Sequence, residues 1–124
     1  MTDSLRHQVG RDYEIILEEK LREAGIAFLD EEAQRQAGQD VTPDFRLQVP
    51  IGIKGQPVCW IDSKALFGDA ESHQNYLNNQ LLSYWNRFGP GLVIYWSGYE
   101  ENIEQLAPEV QVACQMPAFE HFNP

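Results

Sequence analysis

The fold is decided by two short runs, Thr42-Pro43-Asp44-Phe45-Arg46-Leu47-Gln48-Val49 and Val58-Cys59-Trp60-Ile61-Asp62-Ser63-Lys64. Phe45 to Val49 alternates apolar with polar residues, the pattern of a half-buried strand, and Pro50 ends it or marks an edge. Ile51-Gly52-Ile53 continues it past a bulge, Lys54-Gly55-Gln56 is a turn, and Pro57 to Ile61 is a second strand. Strands joined by so short a turn pair antiparallel. A hairpin sets the start of its first strand beside the end of its second, so Asp44 and Asp62 meet at one end of the sheet. Lys64, two residues past Asp62, points to the same face as that aspartate.

Outward from this hairpin, Ser4 to Ala24 reads as a helix. Leu5, Val9, Ile16, Leu17, Leu21 and Ala24 recur at helical spacing, and Gly25 stops it. Glu14 lies on or beside the inward stripe, where a carboxylate is costly unless paired or bound to a metal. Two readings stand level for it: a metal ligand, or a rim glutamate bonded to a neighbouring arginine. Ile26 to Leu29 is a short extended connection. Asp30 to Ala37 is a surface helix whose charges are a solvated face, ended by Gly38.

Downstream, Gly68 to Ser72 is a loop and about His73 to Phe88 a second long helix, with Tyr76, Leu77, Gln80, Leu81, Tyr84 and Phe88 at helical spacing. Leu92 to Trp96 is a continuous apolar strand, expected to be central. Glu100 to Leu106 forms a helical turn, Val110 to Cys114 a last strand, and Pro117 to Pro124 an irregular tail. The order predicts one α/β domain over residues 1–124, a mixed central β-sheet flanked by helices.

Composition sets limits. No apolar run approaches the ~20 residues needed to span a bilayer, so no membrane role is expected. The first residues show no basic-then-apolar secretory pattern, and Cys59 and Cys114, in apolar stretches far apart, read as buried thiols on strands. An intracellular location, cytoplasm or nucleus, is the expectation. The net charge of −10 weighs against binding nucleic acid, whose partners usually carry a basic footprint. A bound cation or one basic patch would offset it.

Two carboxylates and an ammonium at one sheet end suit phosphodiester hydrolysis. Mg²⁺ prefers oxygen ligands and keeps several waters, so Asp44, Asp62 and the Ser63 backbone carbonyl suffice to hold it. Ser63 qualifies because strand alternation turns its side chain away from the site. Lys64 either orients the attacking water, stabilises the transition state, or assists proton transfer. The plainer alternatives are a turn aspartate at 44 and a strand-end ion pair between Asp62 and Lys64. Gln80 and Tyr84, one helical turn apart, could hydrogen-bond the scissile phosphate or a bound water. His73 and Arg87 at the two ends of that helix, and Lys54 in the hairpin turn, are candidate phosphate contacts; plain surface residues are the alternative.

Pro43-Asp44 followed by Asp62-x-Lys64 is the pattern of the PD-(D/E)XK phosphodiesterases, and Gln80-x-x-x-Tyr84 resembles the motif that follows it in the RecB-like branch. The runs Thr42-Pro43-Asp44-Phe45, Trp60 to Ala65 with Phe67-Gly68-Asp69, and Ser83 to Gly91 leading into Val93-Ile94-Tyr95-Trp96 resemble the TPD-motif family of these nucleases, over roughly Gly10 to Tyr99. The resemblance implies a restriction-endonuclease-like fold close to that of Holliday-junction resolvases, and Mg²⁺ or Mn²⁺ as cofactor. It implies nucleic acid as partner, DNA foremost and branched or flapped structures by analogy, with RNA still open. It maps the first-helix glutamate of such nucleases onto Glu14. Asp62 stands where animal members carry glutamate, which would alter the spacing of a bound metal. Such enzymes often form homodimers, and Trp85 and Trp96 either cover an interface of that kind or fill the core. A non-catalytic scaffold or nucleic-acid-binding module on the same fold is the alternative.

Overall fold

A computed structural model describes residues 3–121. Helix α1 spans Asp3–Glu23, strand β1 Phe28–Asp30, helix α2 Glu31–Gln36, strand β2 Phe45–Ile53 and strand β3 Gln56–Lys64. A continuous helical stretch follows, made of α3 (Ala70–Tyr76), a π turn (Leu77–Leu81) and α4 (Leu82–Phe88). Then come β4 (Gly91–Tyr95), a 3₁₀ turn (Ile103–Leu106), β5 (Val110–Ala113) and β6 (Glu120–His121). The six strands form one mixed sheet in the order β1-β2-β3-β4-β5, with β6 paired to β2. β1–β2 and β2–β3 run antiparallel; β3–β4 and β4–β5 run parallel.

The sheet separates two apolar cores. Leu17 and Leu21 of α1 pack with Phe45, Ile61, Leu92 and Ile94 on one face. On the other, Leu77, Leu81 and Tyr84 pack with Trp60, Val93 and Tyr95. Strand alternation produces the division, because neighbours such as Trp60 and Ile61 look to opposite faces. All five residues of β4 are buried, as expected of a parallel strand covered on both sides. Each fully buried leucine contributes roughly 1.5–3 kcal/mol of apolar burial. Of α1 it is the C-terminal half that packs here, through Leu17 and Leu21, while Leu5, Ile15 and Ile16 remain exposed.

Several expectations change. The Ile26–Leu29 connection contains strand β1, held by antiparallel pairing of Phe28 with Leu47. The α2 region is not wholly solvated, because Gln34 is fully buried and its amide donates to the carbonyls of Leu29 and Pro43. The second long helix begins at Ala70, capped by Asp69, whose carboxylate accepts from Ser72 N–H at 2.7 Å. That bond holds the Asp69 carboxyl below the usual carboxylate range. The tail carries β6 at Glu120–His121, its last three residues lying outside the described ones. Cys114 is exposed just past β5, and Cys59 is half-buried on β3. The bulge expected in β2 is present, as a register shift between Arg46 and Ile51. Among the described residues no helix is long and apolar enough to cross a membrane.

Two glycines respond differently to an added methyl group. At Gly91 a Cβ would overlap the Trp60 indole, which is fully buried and donates through Nε1 to the Gly89 carbonyl at 2.8 Å. Gly91→Ala is expected to destabilise the fold by about 3 kcal/mol or more, because neither partner can move aside. Gly10 lies within α1 with open space around it, so Gly10→Ala should stabilise by up to about 1 kcal/mol. Urea unfolding of both variants reads the contrast.

Candidate active site

Asp44 enters β2 and Asp62 sits near the end of β3, where the antiparallel register places Phe45 opposite Ile61. The two aspartates bond to each other's backbone. Asp44 N–H donates to Asp62 Oδ1 at 3.0 Å, and Ser63 N–H donates to Asp44 Oδ2 at 2.7 Å. Asp62 is only 3% exposed. Burial and the facing Asp62 charge push the Asp44 carboxyl well above the usual carboxylate range, outweighing the Ser63 N–H bond that lowers it.

Alternation aims Asp62 and Lys64 at the α3–α4 side, the face that holds Trp60. Lys64 Nζ lies 3.2 Å from Asp62 Oδ2, donates to Gln80 Oε1 at 2.8 Å, and rests 4.0 Å from the Tyr76 ring centroid. Three groups thus fix its ammonium. Ser63 points the other way, its Oγ accepting from Trp96 Nε1 at 2.8 Å, and Tyr13 of α1 stacks on that indole. The expected orientation of Ser63 holds, with its backbone against Asp44.

Gln80 belongs to the π turn. Such turns hold one more residue per turn than an α-helix and recur at functional sites. Here Leu77 and Leu81 stay buried in the sheet-facing core while Gln80 reaches Lys64. Tyr84 is buried, and its hydroxyl donates to the Thr42 carbonyl at 3.3 Å, two residues before Asp44. Burial and the charges of Asp62 and Asp44 raise its phenol, so it stays protonated. Tyr84 ties α4 to the strand entry.

Glu14 lines the same cleft as Asp44. It pairs with Arg11 at 3.6 Å, and its carboxyl is raised by partial burial and by the charges of Glu31 and Asp62. Among the described residues no group of three or more His, Cys, Asp or Glu side chains is arranged to enclose a metal ion. Two carboxylates with hard oxygen donors still fit a cation that keeps most of its waters, as Mg²⁺ does.

The nucleic-acid contacts need correction. His73 is fully buried, its Nδ1 2.6 Å from the Tyr95 hydroxyl, so it offers no surface to a phosphate. Burial and the nearby Lys64 charge hold it below the usual histidine range. Lys54 sits in the hairpin turn with φ 53°, at the end of β2 opposite Asp44 and roughly 30 Å along a nine-residue strand. Arg87 is exposed at the rim, 3.7 Å from Asp40 and 3.3 Å from the Gln39 side chain. Sequence reading missed Glu31 and Arg35 of α2, which pair with each other and line the cleft beside Asp44. Their signal was the i,i+4 spacing, which reads equally as a solvated pair.

The chain belongs to the family described as "Protein of unknown function TPD sequence-motif", which it matches over residues 1–116. It is 50% identical over 104 residues to "CDAN1-interacting nuclease 1" of Xenopus laevis, covering 84% of this chain and 34% of that protein. The Homo sapiens protein of that name is 49% identical over 84% of this chain and 37% of its own length, and the Danio rerio protein 51% over 84% and 35%. The chain spans about a third of the length of these relatives. No solved structure matches it.

The raised Asp44 carboxyl has a consequence for stability. The folded state holds this proton to higher pH than the unfolded chain does, so unfolding releases it. Its contribution is therefore lost as pH rises above the unfolded carboxylate value of about 4. Buried, neutral His73 acts in the opposite sense, losing stability as pH falls through the ordinary histidine range. Comparing wild type with Asp44→Asn isolates the carboxyl. In EDTA the variant should gain stability relative to wild type as pH rises from about 5 to about 8, by about 1 kcal/mol or more. Urea unfolding at each pH checks it.

Proposed function

We propose that this chain is a metal-dependent nuclease domain of restriction-endonuclease-like fold, hydrolysing phosphodiester bonds in nucleic acid, with DNA the first substrate to test. One observation carries the reading: two reciprocally bonded aspartates lie beside a lysine fixed by Asp62 and Gln80. A residue set that only bound nucleic acid would have no use for two crowded carboxylates, one of them pushed toward protonation. The printed name of the relatives, which includes the word nuclease, supports the same class.

Asp44 and Asp62, with the Ser63 carbonyl, would hold Mg²⁺ or Mn²⁺. Such a cation supplies an activated water and neutralises charge that builds on the phosphoryl group. The chain's own part is positioning. The two N–H bonds hold each carboxylate against the backbone of the other strand, which limits how far either can turn. Lys64 presents a fixed ammonium to the oxygens that gain charge, and Gln80 keeps it from swinging away. Tyr84, as a neutral phenol, holds the entry of β2 through Thr42.

Cleavage of labelled single strand, duplex, flap, four-way junction and RNA, each with Mg²⁺, Mn²⁺ or EDTA, tests the proposal. Cutting is expected only with metal, and both Asp62→Ala and Lys64→Ala should lower it by at least about 10³-fold. Gln80→Ala should lower it less, by about tenfold, because Asp62 still holds the ammonium. Metal binding without cutting of any substrate, or cutting that survives Asp62→Ala, would sink the assignment.

A further inference from the structure

A chain of net charge −10 that handles a polyanion must bring the phosphates in over its few cations. Four of its nine lysines and arginines are paired, stacked, distant or inside the site. Arg22 pairs with Glu18 at 3.3 Å and lies 5.1 Å from the Phe28 ring centroid. Arg46 lies over Phe88 at 4.5 Å, Lys54 is in the distant turn, and Lys64 is inside the site. Arg11 and Arg35 differ. Two cavities of about 270 and 390 Å³ both border Asp44 and Glu31; Arg35 lines both, and Arg11 lines the first.

Both arginines are held without being consumed. Arg11 pairs with Glu14 one helical turn along α1, and Arg35 pairs with Glu31 one turn along α2. Their side chains are 69% and 65% exposed. A guanidinium has five N–H donors, so one resting on a carboxylate can take a phosphate with those left over. The glutamate fixes where the cation stands, at the border of the cleft.

We propose that Arg11 and Arg35 form the track for backbone phosphates on either side of the bond at Asp44 and Asp62, binding one nucleic-acid strand across α1 and α2. The inference rests on the nuclease reading and replaces His73 and Lys54 as the source of grip. Glu14, Glu18, Asp30, Glu31 and Glu32 line the same cleft and repel phosphate, so the grip is weak and depends steeply on salt.

The test uses the full chain carrying Lys64→Met, with Mg²⁺ present, and a fluorescein-labelled single-stranded DNA oligonucleotide read by anisotropy across a salt titration. Arg11→Gln and Arg35→Gln should each weaken binding several-fold and flatten the slope of log K against log salt by about 0.7, the release expected for one single-strand phosphate. Lys54→Gln should leave the slope unchanged. Thermal unfolding of each variant checks that the fold is intact. Slopes unmoved by Arg11→Gln and Arg35→Gln, or moved instead by Lys54→Gln or Arg87→Gln, overturn the track. Cleavage by the unsubstituted chain, assayed alongside, separates the two readings. Cutting with those slopes unmoved discards the track and keeps the nuclease, whereas neither cutting nor binding discards both.

Discussion

Two carboxyl groups stand against each other at the start of β2 and the end of β3, and a pair of backbone N–H groups makes that tolerable. Each aspartate accepts from the main chain of the other strand, so the bonds that would extend the hairpin ladder go to carboxylates instead. The sheet is built around this exchange. β3 takes β2 on one side and β4 on the other, which fixes Asp62 on the central strand with only 3% of its surface exposed. The ammonium of Lys64 is the compensating charge, and a buried ion pair of this kind needs further partners to be worth its desolvation. Gln80 and the Tyr76 ring supply them.

The hairpin was legible because its pairing is local and its turn short, so the meeting of Asp44 with Asp62 followed from the turn alone. The opposed directions of Ser63 and Lys64 followed from the two-residue period of a strand. What escaped the sequence depended on distant partners. His73 looked like a polar residue near a helix start, but its partner is the hydroxyl of Tyr95 on β4. Gln34 looked solvated, yet it spans the carbonyls of Leu29 and Pro43. β1 and β6 are too short to show any period and exist because β2 offers both of them an edge. The π turn was invisible, since Leu77, Leu81 and Tyr84 fit the spacing of an unbroken α-helix as well.

Charge is distributed by the fold rather than by composition. Acidic residues crowd the cleft walls on α1 and α2, and two arginines stand among them. The histidine and the hairpin lysine that sequence offered as phosphate contacts are respectively buried beneath the site and held at the opposite sheet end. The net charge of −10 extends into the cleft, where two arginines stand among six acidic residues.

The π turn at Leu77–Leu81 has a consequence for how this sequence can change length. It holds one residue more than an α-helical turn, and each residue turns a helix by about 100°. A chain shorter by that one residue would close an uninterrupted helix at little backbone cost. The half carrying Tyr84 would then be rotated by about 100° against the half carrying His73 and Tyr76. The apolar stripe would split, and the amide over Lys64 would leave with it. The register of this helix thus behaves as an indel-sensitive element, in which one inserted residue separates a plain packing helix from one that reaches into the site.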